Sequence, residues 1–251
     1  MKMHVLSGGR LGMKQHIFLP DSDRDAEIDL PVSCFLFRHP QGNVLFDTGC
    51  HPDIAGEPEH RWGKLARAMV PVMDTDDHVV AGLGQIGLAP DDIDVVVNSH
   101  FHTDHCGCNA FFSKAAFMVH AAELERAPGL EGQGYFRDDW DHALPTDVLE
   151  GERDLFGDGR LVALPLPGHT PGLVGLLAGL ERSGEFLLAS DAVSIGANLS
   201  GEAVPKNTWN ADLLLKSLTE IRRIGARGAT VVCGHDLEQW NRLKKGADAY
   251  D

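Results

Sequence analysis

The sequence predicts an α/β domain. Strand-forming runs and amphipathic helical runs alternate along its 251 residues, the alternation occurs twice over, and clusters of His and Asp sit just beyond the ends of the strand runs. A chain of this length can hide roughly three quarters of its unfolded surface, and its 43% hydrophobic residues supply the core. With no Pro/Ser-rich linker and no low-complexity segment, residues 1–251 read as one domain of two similar halves, 1–126 and 127–251. The balance of 22 Lys+Arg against 37 Asp+Glu, a net charge of −15, leaves no positive surface for a phosphate backbone, so nucleic acid is not an expected partner. No stretch approaches ~18 uninterrupted apolar residues, and the first residues meet Gly, Arg and Lys before a signal segment could form. No membrane partner and a cytoplasmic location are therefore expected. Five cysteines, an odd and sparse set, fit a reducing compartment.

The first clear element is a hairpin. In PVSCFLFRHPQGNVLFDTG the β-rich runs Val32–Arg38 and Asn43–Phe46 flank the turn signal His39-Pro40-Gln41-Gly42. Trp62, Leu65, Ala66, Met69 and Val70 recur at helical spacing and predict a helix over 60–70, and 79–88 repeats the pattern before Gly87 and Pro90 close it. The β-branched run 94–98 predicts a strand buried on both faces. Residues 116–119 predict another strand, 121–126 a short helix and 128–141 a Gly-rich aromatic loop. Strands at 161–166, 172–178 and 186–189 follow, then an amphipathic helix over 211–224 and a last strand at 229–233.

The chemistry concentrates in Ser99-His100-Phe101-His102-Thr103-Asp104-His105, where one loop carries three imidazoles and a carboxylate within six residues. That density and donor mix suit Zn, Mn, Fe or Co, and no paired-Cys pattern of a structural zinc finger accompanies it. His100 and His102 can hold one ion, Asp104 and His105 another. His169, Asp191 and His235 each lie just beyond a further predicted strand, so four strand ends converge on one site. Cys106-Gly107-Cys108 reads as small side chains packing behind His105 rather than as ligands.

An HxHxDH run followed by Gly-His-Thr-Pro-Gly, then Asp, then Gly-His resembles the metallo-β-lactamase superfamily over nearly the whole chain. The resemblance implies an αββα four-layer sandwich with two divalent metal ions at one edge, Zn2+ foremost, with Fe, Mn or Co as alternatives. It assigns His100, His102 and His169 to the first ion, Asp104, His105 and His235 to the second, and Asp191 to the bridge between them. It also makes Asp47 of Phe46-Asp47-Thr48-Gly49 a support for a ligand.

Within the superfamily, PVSCFLFRHPQGNVLFDTGCHPD, DDIDVVVNSHFHTDHCGCNAFF, GDGRLVALPLPGHTPG and VVCGHDLEQW look most like the quorum-quenching N-acyl homoserine lactone lactonases. The implied function is a hydrolase opening the lactone ring of a small-molecule substrate by a metal-bridging hydroxide, with Asp104 as ligand and proton carrier. The alternatives are another lactonase, similar to 4-pyridoxolactonase, and a glyoxalase II-like thioesterase. Typical acyl homoserine lactonases place a Tyr three residues after the bridging Asp; this chain has Ser194, which inherits the catalytic hydroxyl's place. For the substrate pocket the sequence offers Trp62, Met69, Tyr135 and Phe136, with Met13, His16, Phe18, Leu65 and Ala66. A homodimer is left open.

Overall fold

In the computed structural model of the protein, which describes residues 1–201 and 203–251, two β-sheets pack face to face with helices on both outer faces. This is the αββα arrangement. The first sheet holds β1 (Lys2–Lys14), β2 (Glu27–His39), β3 (Gly42–Phe46), β4 (Val70–Pro71), β5 (Val95–Val97), β6 (Ala116–His120) and β7 (Thr146–Leu149), in the order β4-β1-β2-β3-β5-β6-β7. The second holds β8 (Arg153–Asp154), β9 (Leu161–Pro165), β10 (Val174–Leu180), β11 (Gly184–Ser190) and β12 (Thr230–Cys233), in the order β12-β11-β10-β9-β8.

Alternation along β2 sorts its side chains between two cores. Phe35 and Phe37 enter the inter-sheet core with Val44, Phe46, Leu176 and Leu188, whereas Cys34 and Leu36 face the other way, under the helix Val79–Gln85. The second sheet is covered by the helix Ala211–Ala226, whose Leu214, Leu218 and Ile221 fall on one face and are buried. Asn210 caps it, its side chain accepting from the Leu213 N–H at 3.0 Å. Leu218 is almost fully enclosed, so Leu218→Ala is expected to cost about 2–5 kcal/mol in urea denaturation. Metal content at 25 °C should be unchanged.

Three of the departures from the sequence reading change how the chain is laid out. β1, 13 residues long, escaped it because Gly8-Gly9 interrupts the alternation; there the register with β2 slips between Ser7 and Arg10. A Cβ on Gly8 would lie 2.7 Å from the Cys34 Sγ, so the bulge needs a residue without one. The helix expected over 60–70 is broken: Pro58–Trp62 is helical, Gly63 sits at φ 51°, Gly63–Arg67 tightens to a 3-10 turn, and Val70–Pro71 joins β1 as a strand. Finally, the chain passes from the first sheet to the second between Leu149 and Arg153, well beyond the junction expected at 126/127, because β7, mostly exposed, extends the first sheet. Such an edge strand carries little hydrophobic signal.

Candidate metal centre

β3, β5 and β6 run parallel, so the loops after β3 and β5 emerge at one edge of the sandwich, where the loops after β9, β11 and β12 meet them. The result is a cluster of all seven residues singled out as ligands, six of them buried and His102 half-buried. The Nδ1 of His102 lies 3.0 Å from the Nε2 of His100 and 3.0 Å from the Nε2 of His169. Beside this trio, the Asp104 Oδ2 lies 3.7 Å from the His105 Nε2 and 3.6 Å from the His235 Nε2. Asp191 spans the two groups: its Oδ1 is 3.4 Å from His105 and 3.0 Å from His235, and its Oδ2 is 3.3 Å from His169.

Hydrogen bonds behind the cluster aim these atoms. The Asp47 carboxylate accepts from the Ser99 N–H (2.7 Å), the Ser99 hydroxyl (2.7 Å) and the His105 Nδ1–H (2.8 Å). With its own proton given to Asp47, Ser99 accepts from the His100 Nδ1–H at 2.9 Å and from the Ser190 hydroxyl at 2.9 Å. The His235 Nδ1–H donates to the Pro31 carbonyl at 3.1 Å. Each of these bonds occupies Nδ1, so in all three imidazoles Nε2 is the nitrogen turned toward the cluster. Asp47 and Ser190 hold positive φ, 60° and 46°, a strain of about 1–3 kcal/mol each that surrounding bonds must sustain. Gly234 precedes His235 for a steric reason: a Cβ there would lie 2.4 Å from the Asp191 Oδ1.

Charge divides the cluster. Burial holds His100 and His102 below their ordinary range and brings His169 down to about 3, so this trio is neutral at pH 7. Burial also works against protonation of His105 and His235, but the carboxylates of Asp104 and Asp191 outweigh it and raise both. Asp191 is held well below the carboxylate range, the nearby imidazoles, His235 first, overcoming its burial. Converging imidazole lone pairs beside a pair of carboxylates form a donor set that fits divalent cations. The ligand atoms of His100, His102 and His169 lie within 4.8 Å of one another, as do those of Asp104, His105 and His235.

This polarity has a consequence for stability. Unfolded, His169 takes up a proton near its ordinary 6.5, whereas folded it stays neutral down to about 3; its contribution therefore becomes unfavourable as pH falls through that window. At pH 5 it should cost the native state about 2 kcal/mol relative to pH 7. Chelator-treated wild type, compared by urea denaturation at pH 7 and pH 5, should lose more stability than His169→Asn, which has no proton to gain.

A cavity of about 280 Å³ opens onto His102, Asp104, Asp191 and His235, and Met13, Phe18, Leu30, Leu65 and Met69 form its apolar side. Of the four residues offered foremost for a substrate pocket, Met69 lines this cavity. Trp62, Tyr135 and Phe136 do not line this wall. The Trp62 indole N–H donates to the Thr103 hydroxyl at 2.7 Å behind the ligand loop, and the Tyr135 hydroxyl donates to Glu123 at 2.6 Å with its ring edge-on to His102. Phe136 packs against the cluster around Trp62 and faces a separate polar depression with Arg61. Ser194, expected to supply a catalytic hydroxyl, is fully buried and does not line the cavity, and among the described residues its hydroxyl reaches no partner. Its carbonyl instead accepts from the His235 N–H at 2.7 Å, tying one ligand's backbone to the turn after Asp191. The remaining cavity residues, Leu30, Gln133, Gly134 and Asn207, carried no sequence signal. The five cysteines are buried and unpaired, and burial raises the Cys106 and Cys108 thiols.

A family model described as the metallo-beta-lactamase superfamily matches residues 28–235. The chain is 33% identical to the N-acyl homoserine lactonase AttM of Azorhizobium caulinodans, with 100% of this chain and 99% of that one covered. It is 34% identical to the N-acyl homoserine lactonase AiiB of Agrobacterium fabrum, over 89% and 86% of the two chains. Among solved structures it superposes with a TM-score of 0.90, at 26% identity over 99% and 98% of the chains, on an N-acyl homoserine lactone hydrolase with its product N-hexanoyl-L-homoserine bound at the catalytic metal center.

Proposed function

Since this chain belongs to the metallo-β-lactamase superfamily, we propose that it is a dinuclear-metal hydrolase that opens the lactone ring of N-acyl homoserine lactones. The observation that carries the reading is an apolar cavity ending on a buried His/Asp cluster, in a chain similar end to end to proteins named as such lactonases. His100, His102 and His169 would hold one cation, Asp104, His105 and His235 the other, and Asp191 both. Two divalent cations, Zn2+ by the donor set, would supply an acidified water and polarise the lactone carbonyl.

The rest is the work of side chains. Met13, Phe18, Leu30, Leu65 and Met69 take the acyl tail and, by excluding water along one side of the cavity, orient the ring toward the cluster. Asp104 stands at the cavity wall and at the cluster together, so its carboxylate can take up a proton and return it to the leaving alkoxide oxygen. Asp47 and Ser99 keep His105 and His100 from rotating as that charge moves. The substrate, a small neutral molecule, suits an acidic chain with no described helix long and apolar enough to cross a membrane. We place the enzyme in the cytoplasm.

Proton release at neutral pH tests the reading, with the zinc-loaded protein offered N-hexanoyl and N-decanoyl homoserine lactones, 4-pyridoxolactone and a thioester in parallel. Opening of both acyl homoserine lactones is expected. Turnover of 4-pyridoxolactone or the thioester with silence toward the acyl homoserine lactones would overturn the substrate assignment.

A further inference from the structure

Glu123 lies in the short helix Ala121–Arg126 and is wholly buried. A buried carboxylate is costly unless it is paired or fully hydrogen-bonded, and among the described residues no cation pairs with it. It is held by three donors from three separate segments. Its Oε1 accepts from the Phe101 N–H at 3.1 Å and from the Tyr135 hydroxyl at 2.6 Å, and its Oε2 accepts from the Gly172 N–H at 3.1 Å. Phe101 stands between the ligands His100 and His102, Gly172 closes the turn that carries His169, and Tyr135 presents its ring edge to His102 at 4.8 Å. The approach is close: a Cβ on Gly172 would lie 2.4 Å from the Glu123 backbone nitrogen.

We propose that Glu123 is the positioning residue of the three-histidine metal site, one carboxylate that holds both ligand-bearing segments and the residue behind His102 in register. The inference rests on the two-metal reading above and adds an asymmetry to it. His105 and His235 have other supports, Asp47 and the Pro31 carbonyl, and neither bond passes through Glu123. In Glu123→Gln the side chain keeps its shape but one oxygen becomes an NH2. That NH2 must face either the Gly172 N–H or the Phe101 N–H, donor against donor, so one of the two segments is released. Supports behind a metal ligand are typically worth about 10- to 100-fold in affinity, and the loss here should fall on one ion.

The test is competitive titration of zinc-loaded protein with a chromogenic chelator, with thermal unfolding as a check on folding. Wild type should give up two equivalents. Glu123→Gln should hold one equivalent at wild-type affinity and the other about 10- to 100-fold more weakly. In the His169→Ala background, which already lacks a ligand of the first site, Glu123→Gln should not weaken the remaining equivalent further. Gly172→Ala, which pushes the turn off the same carboxylate, should weaken the same single equivalent and serves if Glu123→Gln does not fold. Equal weakening of both equivalents, or wild-type affinity for both, would overturn the assignment. A wild type that binds only one equivalent would overturn the two-metal reading and this inference with it.

Discussion

Asp191→Ala is expected to lower kcat/KM for N-acyl homoserine lactones on the order of 10³-fold or more, because several kcal/mol of transition-state stabilisation from the metal centre are lost together. The reason is position: Asp191 has one oxygen toward His105 and His235 and the other toward His169, so its removal touches both groups of ligands. Metal content, measured after desalting, should fall with activity. Folding should survive, since Asp191 follows the end of β11 and the core beneath it is intact. Relief of imidazole–carboxylate attraction also predicts that His105 and His235 lose much of what raises them. A variant that retained both metal and turnover would remove Asp191 from the site.

Asp104→Asn should act differently. The amide can still offer an oxygen to the second group, but it cannot carry a proton, so kcat should drop by about 10²- to 10⁴-fold while KM moves only a few-fold. Asp104 is a proposed ligand whose carboxylate also faces the cavity with His102 and Asp191, which is what separates it from Asp47, enclosed behind His105. Steady-state kinetics with N-hexanoyl homoserine lactone, alongside metal analysis, checks this. Full metal content with a low kcat is the expected combination; a raised KM with unchanged kcat would make Asp104 a substrate-binding group only.

The convergence of the proposed ligand residues was legible because their segments follow runs of strand-forming residues: His100 after Val95–Val97, His169 after Leu161–Pro165, Asp191 after β11, His235 after β12. Parallel pairing of β3, β5 and β6 then turns a sequence pattern into a place. What supports the ligands was less legible. Glu123, in AAELER, reads like a solvated helix residue, and only the folded packing shows it closed off beneath two ligand loops. Trp62 and Tyr135 look like pocket aromatics, yet each carries a polar atom that finds a partner behind the site, Thr103 and Glu123, and that bond fixes the ring away from the cavity. Ser194 shows the limit of reading by position. The expected hydroxyl is present in sequence, but its side chain is too short to leave the interior, and its backbone is what serves the site.

The decisive measurement is metal content and hydrolysis of N-hexanoyl homoserine lactone on one preparation, followed through chelation and stepwise return of Zn2+. Activity that vanishes on chelation and returns in proportion to the ions bound, saturating at two per chain, is the expected result. Lactone opening that persists in chelated, metal-free protein would contradict a metal-dependent lactonase outright.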